Sequence, residues 1–217
     1  MILGIETSTR NCSVVLWDNQ GNFFLKEKSS SEFVHAEELH RMISGLISEA
    51  KVDWTMLESV VVGRGPGSYT GLRIGVSCAK GICFSLNIPL YSISSLTLMV
   101  LGNTLAHESQ NVLSVMDARR MEVFGGRYQM GELIGQPEAL VFEDPLLIAQ
   151  FKDLEWVVGE NASKLSSVLS ENTGFIDAFP SAKEMMHKKA SAFFRIEDLA
   201  YFEPEYVKPF IPTVSKK

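Results

Sequence analysis

The segment Gly63-Arg64-Gly65-Pro66-Gly67-Ser68-Tyr69-Thr70-Gly71-Leu72-Arg73-Ile74-Gly75 holds five glycines in thirteen residues, after a valine-rich run and before a helical one. Such density serves backbone that takes positive φ or lies hard against another group. Ser68 or Thr70 can cap the helix that follows, and the positive end of that helix suits an anion. The motif lacks the Gly-Lys-Ser/Thr of a Walker A loop, and Ser68 stands where G-x-G-x-x-G needs its last glycine. A phosphate contact through Gly63, Arg64, Gly65, Pro66, Gly67, Ser68, Thr70 and Arg73 and a purely structural turn are therefore equal readings.

Two carboxylates accompany this loop. Glu6 ends the first apolar run and precedes Thr7, Ser8 and Thr9; Asp117 ends a later run and precedes Arg119 and Arg120. Acidic residues at two strand ends can hold Mg²⁺ and a nucleotide, as an ATP-dependent phosphotransferase requires. An ordinary hydroxyl-capped turn is the alternative at Glu6. His35 and His40 flank two glutamates, but a spacing of five turns them roughly 140° apart on a helix, so they cannot share one ion. H-E-x-x-H is absent from the sequence, as is any Cys-x-x-Cys pair among Cys12, Cys78 and Cys83. We expect no metal site, and reduced, buried thiols.

The elements that position these residues read as α/β. Ile2–Ile5, Asn11–Trp17 and Asn22–Lys28 read as three meandering strands. Phe33, Ala36, Leu39, Ile43 and Ala50 recur at helical spacing behind a Ser31 cap. A strand around Val60-Val61-Val62, a helix to Leu86, a strand Leu90–Ile93 and a helix from Ser94 follow. Within the second helix Gly71, Gly75, Ala79 and Cys83 recur every four residues as a stripe of small side chains, which can admit a partner helix or the chain's own sheet. The second half repeats the order: strands at Val112–Met116, Glu122–Tyr128, Leu140–Phe142 and Trp156–Gly159, with helices after Asp144, Asn161 and Ser181. The repeat suggests an N-terminal unit over 1–104 and a reduced C-terminal unit over 105–217, whose three-proline tail packs back.

Of the 217 residues, 46% are apolar and 21% charged, and the net charge is −6. That is the balance of a globular chain without the basic surface of one that grips nucleic acid alone. The N-terminus shows no basic, then apolar, leader, and no run reaches about 18 apolar residues, so we expect a cytoplasmic protein.

Ile5-Glu6-Thr7-Ser8-Thr9, Cys12-Ser13-Val14, the glycine-rich segment, Asp117-Ala118-Arg119 with Glu122-Val123-Phe124, and Glu205-Tyr206-Val207-Lys208 together resemble the TsaB (YeaZ) family across nearly the whole chain. The resemblance implies two ribonuclease-H-like subdomains of the actin-like, sugar-kinase ATPase superfamily. It implies an accessory subunit that binds a catalytic paralogue (TsaD) and, with an ATPase subunit (TsaE), supports threonylcarbamoyl transfer to adenosine in tRNA. Contact with tRNA is then expected through the complex, and ATP or ADP with Mg²⁺ at a subunit interface. Ser95 and Met99 occupy the register where the paralogue carries two metal-binding histidines, which implies an inactive subunit. Glu6 replaces a commoner Asp. The expected partner surface is Phe33, Ala36, Leu39, His40 and Ile43 of the first helix with Gly71, Gly75, Ala79, Ile82 and Cys83 of the second; in isolation the same surface could form a homodimer. An autonomous phosphotransferase, and more remotely a glycoprotease, are the competing expectations.

Overall fold

The computed structural model describes residues 1–30 and 35–208. Ser31, Phe33 and the final nine residues lie outside them, so the Ser31 cap and the Phe33 contact are not described.

Among the described residues the strands form two sheets. The first has the order β11-β5-β4-β1-β2-β3, built from β1 (Ile2–Glu6), β2 (Asn11–Trp17), β3 (Phe23–Ser29), β4 (Ser59–Gly63), β5 (Leu90–Ile93) and β11 (Arg195–Ile196). The second has the order β10-β9-β6-β7-β8, from β6 (Val112–Asp117), β7 (Glu122–Gln129), β8 (Glu132–Val141), β9 (Trp156–Gly159) and β10 (Gly174–Asp177). In each sheet three strands meander antiparallel and two further strands add parallel to the first of them. This shared order is the repeat of a ribonuclease-H-like strand arrangement in the two halves.

The first sheet is covered on both faces, which is why β4 reads as an unbroken valine run. Leu3, Ile5, Cys12, Val14, Leu16, Val60 and Val62 face helices α1 (His35–Ala50) and α2 (Tyr69–Leu86). On the other face Val15, Val61 and Ile93 meet Leu98 and Leu101 of α3 (Ser95–Leu101) and Ala182, Met185 and Ala190. Helix α3 is buried all round: its Leu96, Met99 and Val100 pack instead on Val112, Met116, Tyr128 and Val158 of the second sheet. One apolar helix thus serves both cores. Further on come α4 (Thr104–Glu108) and α5 (Pro145–Ala149).

Several expected elements differ. The third strand of the second half lies at Glu132–Val141 rather than Leu140–Phe142, because Met130-Gly131 makes the tight turn after β7. The segments after Asn161 and Ser181 are short 3₁₀ turns, over Ala162–Ser167, Ala182–Met186 and Ala190–Phe193, not α-helices. Each has only one or two inward residues, too few to fill an α-helical face. β11 pairs with β5, so the chain returns to the first sheet before its tail.

Candidate functional site

Glu6 sits at the C-terminal end of β1 with no exposed surface. Its Oε1 accepts the Ser8 amide at 2.7 Å and its Oε2 accepts the Ser95 hydroxyl at 2.9 Å. Burial pushes its pKa above the usual value, against the lowering pull of those bonds. A carboxyl so enclosed, with each oxygen already accepting a hydrogen bond, is poorly placed to hold Mg²⁺.

The glycines explain how it fits. A Cβ on Gly63 would come within 3.0 Å of both Glu6 carboxylate oxygens, and one on Gly67 would strike the Ser8 carbonyl. The Ser68 amide donates to that same carbonyl at 2.6 Å. At the start of α2, Gly71 lies against the Thr7 carbonyl and Gly75 against the Thr7 hydroxyl, which donates to the Gly71 carbonyl at 2.8 Å. Ser68 caps the helix by accepting the Gly71 amide. The glycine-rich loop is therefore packed against the chain's own 6–9 turn, to which the Ser68 amide is committed.

Asp117 stands apart. It pairs with Lys164, accepts the Arg119 amide at 2.9 Å and the Asn161 side chain at 2.8 Å, and its pKa is lowered: those hydrogen bonds outweigh the opposing effect of burial. Arg64, nearly buried, pairs through Nε with Glu205 at 3.0 Å, and the Glu205 amide donates back to the Arg64 carbonyl. Arg73 lies over the Tyr69 ring and bonds the Tyr206 hydroxyl at 3.1 Å. The tail residues 205–206 thus lock onto the glycine-rich loop, and Lys208 reaches Glu122 in the second half.

The small stripe does not face a partner. Gly71, Gly75, Ala79 and Cys83 are buried, the first two against Thr7 and the last two in the core shared with Leu39 and Ile43. These six of the expected interface residues are corrected to core positions. The physical reason is the alternative already open in the sequence: small residues let α2 sit close on its own sheet.

Ala36, His40 and Ile82 do reach a surface groove of about 1000 Å³ between α1 and α2. Its other walls are Trp54, the outer α2 face of Ile74, Ser77, Gly81, Ser85 and Leu86, and Thr70 and Arg73 at the helix start. Ser77, Gly81 and Ser85 form a second every-four stripe that the sequence reading missed, offset from the first and turned outward. That periodicity was available in the sequence; what was absent was the side it faced. His35 points inward, its Nε2 2.6 Å from the Thr9 carbonyl, whereas His40 faces the groove beside Cys78 at 3.8 Å. Burial holds the Cys78 thiol up at about 11, so it is no nucleophile at neutral pH.

A family model described as TsaD: tRNA N6-adenosine threonylcarbamoyltransferase matches residues 29–201. The tRNA threonylcarbamoyladenosine biosynthesis protein TsaB of Escherichia coli (strain K12) is 27% identical, over 95% of this chain and 94% of that protein. The TsaB of Haemophilus influenzae is 28% identical over 85% and 83%, and that of Bacillus subtilis 32% identical over 70% and 65%. Among solved structures, YeaZ from Pseudomonas aeruginosa superposes with a TM-score of 0.77 at 24% identity, covering 94% of this chain and 98% of that one. No helix among the described residues is long and apolar enough to cross a membrane.

Proposed function

The chain belongs to the TsaB (YeaZ) family, and on that premise we propose that it acts in threonylcarbamoyladenosine synthesis on tRNA as a noncatalytic subunit docking a TsaD-like paralogue. The observation that carries the docking surface is the groove between α1 and α2. It joins an apolar floor (Ala36, Ile74, Ile82, Leu86) to a line of small residues (Ser77, Gly81, Ser85) against which a partner helix can approach closely. A TsaE-like ATPase then joins the pair, tRNA is met through the assembled complex in the cytoplasm, and a homodimer across the same groove is the isolated chain's substitute.

The noncatalytic part of the reading is supported at the positions where the resemblance places metal ligands. The Ser95 hydroxyl is committed to Glu6, and Met99 is packed in the core between the sheets. A nucleotide with Mg²⁺ at the subunit interface would draw on groups other than Glu6, whose carboxyl is enclosed by Ser8, Ser95 and Gly63. The autonomous phosphotransferase gains no support from this geometry. Calorimetry of the isolated protein with millimolar Mg-ATP should give no binding heat.

The docking test uses Ser77→Arg and Gly81→Arg. Both positions are exposed, and a Cβ on Gly81 meets nothing within 4 Å. The variants should fold, as judged by thermal unfolding, yet lose co-purification with the catalytic paralogue and deplete the modified nucleoside in cellular tRNA. Undiminished complex formation by both would overturn the assignment. Gly75 is unsuitable for this purpose, since its replacement strikes Thr7 and damages the fold itself.

A further inference from the structure

We propose that the cavity between α4, the β7–β8 turn and residues 187–189 binds a phosphate group. This cavity measures about 650 Å³ and is lined by Leu101, Thr104, His107, Glu108, Met130, His187, Lys188 and Lys189. Three chain segments remote in sequence converge there. The protein is acidic overall, yet this one hollow gathers two histidines and two lysines against a single carboxylate, Glu108.

The donors suit an oxyanion. The His107 and His187 rings lie 5.3 Å apart, centroid to centroid. His187 Nδ1 accepts the Lys189 amide at 3.3 Å, so in the neutral ring the proton stands on Nε2, as a donor. His107 is nine-tenths buried and its Nε2 has no hydrogen-bond partner among the described residues. Gly131 makes room for this ring: a Cβ there would fall within 3.0 Å of it. Among the described residues neither lysine forms an ion pair with a carboxylate.

Lys188 and Lys189 disfavour a cation in this hollow, and each histidine that takes a proton adds to that repulsion. An oxyanion reverses it and accepts several donors at once. Burial first, and the neighbouring lysines second, hold both histidines below their ordinary pKa, while Glu108 pulls His107 the other way. A bound phosphate raises both values, so its binding takes up protons and tightens as falling pH brings the two rings toward their charged form. The ligand could be a free phosphate or phosphomonoester, or the phosphodiester of an RNA strand.

The test follows the ring resonances of the four histidines by NMR in the full-length protein, titrated with inorganic phosphate at constant ionic strength against a chloride control. His107 and His187 should shift saturably and titrate at higher pH with phosphate present, while His35 and His40 stay still. Lys188→Glu with Lys189→Glu should weaken the response about tenfold or more, and the paired Lys→Gln variant by an intermediate factor. A short single-stranded RNA that saturates the same resonances at lower concentration than phosphate assigns the site to the RNA backbone. Saturation by phosphate alone assigns it to the free anion. Equal behaviour in phosphate and chloride, or an undiminished response in both lysine variants, would sink the proposal.

Discussion

Glu6 shows how a residue that looks catalytic becomes architectural. Its carboxyl closes the end of β1, bonded to Ser8 and Ser95 and roofed by Gly63. Because its folded pKa is raised, the folded state holds the proton more tightly than the unfolded chain does. The resulting stabilisation is complete below the ordinary value of 4.5 and is lost as pH rises through the folded value. Glu6→Gln keeps the shape, can donate an amide to the Ser95 hydroxyl and carries no charge. Urea unfolding from pH 4 to 8 should therefore show the wild type losing stability relative to the variant as pH rises. A constant difference between the two would refute the buried, proton-holding carboxyl.

At the scale of elements, α2 carries two stripes with opposite duties. Gly71, Gly75, Ala79 and Cys83 seat it on the first sheet; Ser77, Gly81 and Ser85 form one wall of the groove. Gly81 costs the helix backbone entropy while filling no tight space. Gly81→Ala should stabilise the isolated protein by about 0.5–1 kcal/mol, raising its melting temperature by about 1–4 °C. A lower melting temperature would mean that the outer face is more crowded than the structure has it. Lys80 donates to the Ala200 and Phe202 carbonyls, so the returning chain also braces this helix from its side.

At the scale of the whole molecule, the two halves are not separable beads. Helix α3 packs on both sheets, and Ala182, Met185, Ala190 and β11 return to cover and extend the first one. A chain ended at residue 104 would strip Ala182, Met185 and Ala190 from the face of Val15, Val61 and Ile93, and would leave Leu96, Met99 and Val100 of α3 without the second sheet. At about 1.5–3 kcal/mol for each fully buried aliphatic side chain, that loss is comparable to the stability of a small domain. The truncated chain should lack a cooperative thermal transition and bind hydrophobic dyes, while the full chain unfolds in one step by near- and far-ultraviolet circular dichroism. An independently folded 1–104 fragment would show that the return of the C-terminal segment is dispensable.

Much of the molecule was legible in its sequence because local rules sufficed. A short apolar run marked β1, alternation marked β2, the valine run marked β4 as doubly covered, helical spacing marked α1, and the every-four stripe lay within α2. The repeat was visible for the same reason, as were the motifs that carry the family. Direction was not legible. A stripe of small residues has the same spacing whether it meets a partner or its own sheet, and a carboxylate at a strand end looks the same open or roofed. Only the tertiary packing decided that Thr7 fills Gly71 and Gly75, that Ser8 fills Gly67, and that Glu6 lies closed beneath Gly63. The meeting of His107 with His187 was equally out of reach, since a separation of eighty residues gives no local sign of contact. Periodicity is a property of one chain segment; which side becomes inside is decided by what the rest of the chain brings against it.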